Sequence, residues 1–261
     1  MARTLLVGCG RLGGAILAGW RMTHAVSMSE LAILTPSRKP SAAAAEAEGA
    51  LINPDDLSGV ERTVLAVKPG KWREVASGLR ARLPGQGAVV SVMAGVKAGA
   101  ISEALGLPVA RVMPTTAVAI GQGAAAVWSQ QGAAASAVRD LFAPIARLVE
   151  VGDERLIDVA TAVSGSGAAY VYAFVSAMAE AGRRHGLTDQ AALTLAESTA
   201  RGALAMMAAG GRSPDELIAE VASPGGTTQA ALRVLERPGG LSDLMAEAVQ
   251  AALDRARELG G

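Results

Sequence analysis

The sequence predicts a doubly wound α/β sheet followed by an all-α second half. Three observations carry this expectation. Short β-branched or apolar runs alternate with segments of helical period through the first half, a glycine cluster links the first such pair, and strand signals stop after about Val151. Parallel strands need crossover helices, and right-handed crossovers place those helices on both faces of a sheet. The expected division is an α/β domain over residues 1–152 and a helical domain over residues 153–261.

In chain order, residues 4–7 form the first expected strand, and glycines then lead into a helix over residues 12–22. Residues 31–34 are the second strand and residues 42–48 the next helix, closed by Gly49 as its C-cap. Residues 63–67 read as a continuous apolar strand of the kind a parallel sheet buries on both faces. Trp72, Val75 and Leu79 share one side of a helix over residues 71–82, which Pro84-Gly85 stops. Residues 88–92 are another strand, with further candidates near residues 110–113 and 124–127. From Arg155 the pattern is helix after helix, punctuated at Gly186, Gly210-Gly211, Ser223-Pro224-Gly225-Gly226 and Pro238-Gly239-Gly240. Residues 168–180 are apolar nearly all round and rich in small side chains, which predicts a helix buried on every side, most readily at a subunit interface.

Composition narrows the function classes. Lys+Arg 24 balance Asp+Glu 24, so the chain lacks the basic footprint that nucleic acid or an anionic membrane surface needs. Hydrophobic residues make up 51%, with only 3 Trp, 2 Tyr and 2 Phe, so the core is built from Ala, Val, Leu and Met. Charged residues reach 18% against a usual ~25%, a thin polar coat that fits surface hidden between subunits. The single cysteine, Cys9, excludes an internal disulfide, and two histidines leave no cluster for structural zinc. The apolar run over residues 4–7 is too short for the core of a signal peptide. Residues 159–179 carry no charge, but Ser164-Gly165-Ser166-Gly167 is expected to break them, leaving about 12 apolar residues where about 20 would span a bilayer. The expectation is a cytoplasmic protein that binds small molecules and its own copies.

The chemistry concentrates in a few places. Gly8-Cys9-Gly10-Arg11-Leu12-Gly13 follows the first strand and opens the first helix, the context in which G-x-G-x-x-G holds a dinucleotide. The first glycine allows the turn, the second admits a pyrophosphate to the backbone, and the third lets helix and strand pack closely. After the second strand, Thr35-Pro36-Ser37-Arg38-Lys39 stands where a carboxylate would accept the ribose hydroxyl of NAD; Ser37, Arg38 and Lys39 favour a 2′-phosphate, hence NADP, unless they are simply solvated cations. Lys68-Pro69, Ser91-Val92-Met93-Ala94-Gly95 and Met113-Pro114-Thr115-Thr116 each end a strand, so all three line one crevice. In the helical half, Thr161 with Ser164-Gly165-Ser166-Gly167, and Ser223-Pro224-Gly225-Gly226-Thr227-Thr228, read as helix N-termini able to hold an anion, with simple capping as the alternative. Cys9 reads as a small buried filler.

Assembled, these residues resemble pyrroline-5-carboxylate reductase over nearly the whole length. The resemblance rests on the GCGxxG, Ala66-Val67-Lys68-Pro69, Ala94-Gly95-Val96, Arg111-Val112-Met113-Pro114, Ser164-Gly165-Ser166-Gly167 with Ala169-Tyr170, and above all Ser223-Pro224-Gly225-Gly226-Thr227-Thr228 running into Ala231-Leu232-Arg233-Val234-Leu235-Glu236. It implies an NAD(P)-binding Rossmann domain and a helical dimerisation domain, with a decamer as a further level of assembly. It also implies NAD(P)H-dependent reduction of 1-pyrroline-5-carboxylate to L-proline, the last step of proline biosynthesis. Carried over by position, the cofactor meets Val7, Gly8, Cys9, Gly10, Arg11, Leu12, Gly13, Ser37, Arg38, Asn53, Ala66, Val67, Lys68, Pro69, Val92, Met93 and Ala94. The substrate carboxylate meets Ser223, Gly225, Gly226, Thr227 and Thr228, with Thr161 and Thr228 near the ring nitrogen.

The chain departs from the family pattern at Arg11-Leu12, at Thr115 and Ala117, and at Ala168. These departures keep a related imine reductase, or a cofactor-binding protein without turnover, open as alternatives. A cyclic iminium is an electrophile that asks for no histidine or carboxylate, which suits a cleft of hydroxyls and backbone N–H groups. A hydroxyacid dehydrogenase of similar architecture would present a lysine in its helical domain, and residues 155–261 contain none.

Overall fold

A computed structural model describes residues 2–130 and 132–260, Gly260 by its backbone alone; Met1, Gln131 and Gly261, and with them the outer limits of the two expected domains, lie outside. The first half runs β1 (Thr4–Val7), α1 (Arg11–Thr23), β2 (Leu31–Leu34), α2 (Pro40–Ala47), β3 (Leu51–Ile52), β4 (Arg62–Leu65), α3 (Trp72–Arg80), β5 (Ala88–Ser91), α4 (Ala98–Leu105), β6 (Val109–Pro114), β7 (Gly123–Ser129), α5 (Ala133–Phe142) and β8 (Ala146–Glu150). One eight-stranded sheet takes the order β3-β2-β1-β4-β5-β6-β7-β8. Every pair is parallel except β6 with β7. This is the doubly wound order, and it puts the switch point between β1 and β4, where the chain leaves β1 in opposite directions.

Alternation along the strands builds two cores. Leu6 of β1 joins Ile33, Val64, Val90 and Val112 beneath α1 and α5, while Leu5 turns to the other face with Val89, Trp72, Leu79 and Ile101 beneath α3 and α4. The indole of Trp20 donates to the Leu141 carbonyl at 2.7 Å and so joins α1 to α5. As expected, Gly49 closes α2 with φ +106°, its N–H on the Glu46 carbonyl.

The second half is helical: α6 (Leu156–Ala160), a π-helical turn (Thr161–Gly165), α7 (Gly167–Arg184), α8 (Asp189–Gly210), α9 (Pro214–Val221), α10 (Thr227–Leu235) and α11 (Leu241–Gly260). The backbone packs as two compact units, Met1–Ser166 with Ala251–Gly261, and Gly167–Gln250. In the second unit, α7 lies on α8 through a seam of small residues, Ala179, Ala192 and Ala196.

Two expectations are corrected here. The segment over residues 168–180 is not buried on every side within the chain, because its one small-residue seam covers one face; Tyr172 is 71% exposed and Phe174 44%. Nor does Ser164-Gly165-Ser166-Gly167 break the helix. The Thr161 hydroxyl donates to the Ile157 carbonyl at 2.7 Å and the Ser164 hydroxyl to the Ala160 carbonyl at 2.8 Å, and the Ser166 N–H reaches the Thr161 carbonyl at 3.0 Å. These bonds carry the glycines through as a widened turn. Residues Leu156–Arg184 consequently run helical for 29 residues, long and apolar enough by length and composition to cross a membrane.

Candidate active site

The loop between β1 and α1 has the shape its glycines require. Gly8 adopts φ +96°, and a Cβ there would come within 2.6 Å of the Ala66 carbonyl oxygen. A Cβ at Gly13 would lie 2.1 Å from the Gly8 carbonyl oxygen. At Gly10 a Cβ would meet no heavy atom within 4 Å, so the middle glycine faces open space. Gly10 caps α1 with no side-chain hydrogen bond, and the first turn holds no acidic residue, which leaves N–H groups and a positive helix end directed at that space. The residues therefore fit a pyrophosphate. Val7 and Gly8 are positioned by neighbouring strands: the Gly8 N–H donates to the Leu34 carbonyl, and the Ala66 N–H to the Val7 carbonyl, each at 2.8 Å. Arg11 and Leu12 open the helix, Arg11 exposed. Cys9 is buried, its sulfur 3.2 Å from the Ser41 hydroxyl, which fits the filler reading.

Because β1, β4, β5 and β6 are parallel neighbours, their carboxyl ends share one edge. That edge collects Gly8–Gly13, then Ala66, Val67, Lys68 and Pro69, then Val92, Met93 and Ala94, then Thr115. The strand expected over residues 63–67 ends at Leu65; Ala66 and Val67 peel away to carry an exposed Lys68 off the sheet. On the other side of β1, Asn53 takes the left-handed conformation at φ 48° and braces the end of β2. Its Oδ1 accepts the Thr35 N–H at 2.9 Å, and its Nδ2 donates to the Thr35 carbonyl at 3.0 Å. The Thr35 hydroxyl donates to the Ser37 carbonyl at 2.9 Å, which shapes the loop holding Ser37 and Arg38. Arg38 pairs with Glu46 of α2. A cavity of about 530 Å³ opens beside this loop, lined by Val7, Thr35, Pro36, Asn53, Val75 and Arg82 among others. Its α3 wall was missed in the sequence, although Val75, Leu79 and Arg82 recur at helical spacing after β4.

Thr161 belongs to the same compact unit as these strand ends. Ile157 of α6 packs on Met113 and Ala126, with Ala94 and Ala160 against the cluster. A Cβ at Gly165 would lie 3.5 Å from the Met113 sulfur. The turn bearing Thr161 is thus seated where β5 and β6 end. Expected as a helix N-terminus, this turn is interior to a helix, so its backbone N–H groups are not free for an anion; its hydroxyls are what it offers. Just before α6, Arg155 holds the Asp153 carboxyl at about 2, first through side-chain hydrogen bonds and then through its backbone N–H.

In the second unit, Ser223-Pro224-Gly225-Gly226 turns into α10. Gly225 takes φ +73° and donates its N–H to Gln229 Oε1 at 2.9 Å, and the Gly226 N–H reaches the Ser223 carbonyl at 3.0 Å. Gly226 is the N-cap and makes no side-chain cap, so the hydroxyls of Thr227 and Thr228 do not close this helix end. The first turn of this helix thus presents backbone N–H groups beside two hydroxyls, an arrangement that suits an anion.

Fold and loop together define a dinucleotide-binding α/β protein with an added helical region. Residues 154–259 match the family model for pyrroline-5-carboxylate reductase dimerisation. The chain is 36% identical to pyrroline-5-carboxylate reductase of Pisum sativum, covering 97% of this chain and 94% of that one. It is 34% identical to the pyrroline-5-carboxylate reductase of Corynebacterium melassecola over 100% and 99% of the two chains. The crystal structure of a Plasmodium falciparum pyrroline carboxylate reductase with NADP bound superposes with TM-score 0.86 at 25% identity, over 100% of this chain and 98% of that one. The chain belongs to the pyrroline-5-carboxylate reductase family.

Proposed function

We propose that this chain reduces 1-pyrroline-5-carboxylate to L-proline with NADPH as the preferred reductant. The observation that carries the reading is the shared edge: the glycine cradle, the ends of β4, β5 and β6, and the turn bearing Thr161 lie in one compact unit of a chain 36% identical to a reductase of that name. Residues 1–152 would serve the cofactor and residues 153–261 substrate and assembly.

NADPH, when bound, supplies the hydride that the imine carbon accepts. Gly8, Gly10 and Gly13 with the first turn of α1 hold its pyrophosphate, and Ser37, Arg38 and Lys39 its 2′-phosphate, Arg38 exchanging Glu46 for the stronger dianion. The first turn of α10, with Ser223 and Gly225 to Thr228, holds the substrate carboxylate. The Thr161 proton is committed to the Ile157 carbonyl, so its oxygen acts as an acceptor and orients an N–H of the protonated imine. Before that, while the imine is neutral, the Thr228 hydroxyl donates to the nitrogen lone pair and relays a proton to it from water, and Thr161 accepts the N–H so formed. Catalysis then comes mainly from positioning.

Following NADPH and NADH absorbance with pyrroline-5-carboxylate tests the reading. Imine-dependent oxidation, faster with NADPH, is the expected result; binding without turnover would overturn it. Thr228→Ala should lower kcat/KM about 100-fold or more, and an unchanged value would remove Thr228 from the reaction. A different cyclic imine is the second reading, favoured by Thr115: its hydroxyl accepts the Ala124 N–H at 3.2 Å, and its own N–H donates to the Ala124 carbonyl, so it closes the β6–β7 connection. A panel of cyclic imines separates the two. We further propose that the exposed apolar faces of α7 and α8 are covered by a second copy in a dimer, which can build to a decamer, and that the protein is cytoplasmic; cell fractionation tests the location.

A further inference from the structure

We infer that Arg111 is a positioning residue for the reaction, holding α6, and with it Thr161, at the carboxyl edge of the sheet. The inference rests on the substrate contact assigned to Thr161 above. Arg111 sits in the middle of β6, in register with Ser91 of β5 and Trp128 of β7, and its side chain is 2% exposed. One arm of the guanidinium donates to Asp158 Oδ1 of α6 at 2.9 Å, and the other faces Glu154 Oε1 at 3.5 Å. Glu154 Oε1 also accepts the Ala98 N–H, the first of α4, at 2.6 Å. One buried fork therefore ties the sheet to α6 and to the start of α4.

A stability role alone accounts poorly for this arrangement. Buried ion pairs contribute little compared with well-packed apolar residues, and the Arg111 Nε has no acceptor among the described residues. What the fork adds is direction. The apolar contact of Ile157 with Met113 and Ala126 attracts α6 to the strand ends without fixing its rotation or its slide along them. The planar guanidinium, bonded to the next residue, Asp158, fixes both. Thr161 is bonded to the Ile157 carbonyl, so its hydroxyl moves with the turn that Arg111 holds. A displacement of about 1 Å at a reacting centre suffices for a large loss of rate.

The test uses the full-length protein with Arg111→Met and with the double change Arg111→Met, Asp158→Asn. Arg111→Met should lower kcat about 10- to 100-fold, with the NADPH Kd from fluorescence titration within twofold of wild type, since the glycine cradle is untouched. The double change leaves Asp158 uncharged and should restore much of the lost Tm without restoring kcat. Amide exchange over residues 156–165 should be faster in both proteins. Recovery of kcat together with Tm would reduce Arg111 to a stabilising residue and overturn the inference, as would a parallel loss of NADPH affinity. If Arg111→Met does not fold, the double variant decides by the same readouts. A wild-type protein without imine-dependent turnover would overturn the reductase reading; an active Arg111→Met protein with unchanged exchange over residues 156–165 would overturn the role of Arg111 alone.

Discussion

A Cβ added at Gly13 would sit 2.1 Å from the Gly8 carbonyl oxygen, whereas one added at Gly10, where φ is −75°, would meet nothing within 4 Å. The two glycines should therefore respond differently to alanine. Gly13→Ala is expected to destabilise the fold by about 1–3 kcal/mol, because helix and loop must separate. Gly10→Ala should leave Tm within a degree or two yet raise the NADPH Kd about tenfold or more, since its methyl occupies space the pyrophosphate needs. Calorimetry and fluorescence titration check both, and a Gly10→Ala protein with unchanged affinity would refute the cradle. Arg11 carries a related test. A cation in the first turn opposes the helix dipole, and no described carboxylate pairs with it. Arg11→Asn should raise Tm by about 1–4 °C while weakening NADPH binding and its salt dependence; a Tm and an NADPH affinity that rise or fall together would refute that account. These glycines were legible because their spacing is tied to a strand before and a helix after. The committed proton of Thr161 was not legible, since it depends on the helix continuing through Ser164-Gly165-Ser166-Gly167. Asn53 had no signal of its own, because its brace on Thr35 joins positions far apart in sequence.

At the scale of elements, the strands with β-branched runs, β1, β2, β4, β5 and β6, stand close to where the sequence put them. β3, α4, α5 and β8 were not foreseen. β3 is two residues long; α4 and α5 are short and alanine-rich, and α5 buries one face, Ala134, Ala137, Val138, Leu141 and Phe142, that begins with alanines a sequence pattern does not single out; β8 alternates weakly at the edge of the sheet. Tertiary contacts make these elements, and one contact can be tested. Trp20 of α1 reaches the Leu141 carbonyl on α5 from full burial. Trp20→Phe leaves that carbonyl unpartnered and a gap beside it, so unfolding free energy should fall by about 2–4 kcal/mol. The cofactor site lies at the other end of α1, so the NADPH Kd of the folded variant should stay within twofold of wild type; a larger change would mean that α1 moves as a body when α5 loosens.

For the whole molecule, the low charge content and the small-residue run over residues 168–180 pointed to surface hidden between subunits, and the single chain exposes that surface. A groove of about 580 Å³ among α7, α8 and α11 is lined by Phe174, Leu204, Leu241, Leu244 and Met245. Apolar exposure of this kind is not sustained in water by a lone chain. Two coverings are physically available, a second copy or a bilayer, since Leu156–Arg184 is long enough for either. The dimerisation match over residues 154–259 favours the copy. The groove is wider than one helix face and draws on three helices, which suits interlocking with another helical unit better than a single membrane span. Sedimentation at micromolar concentration should therefore give a dimer or a larger even-numbered assembly without detergent. Leu204→Glu places a charge in the groove and should shift the distribution toward monomer, with a lower and concentration-dependent Tm. A wild-type chain that sediments as a monomer, or one that requires detergent to stay in solution, would refute the covering by a second copy.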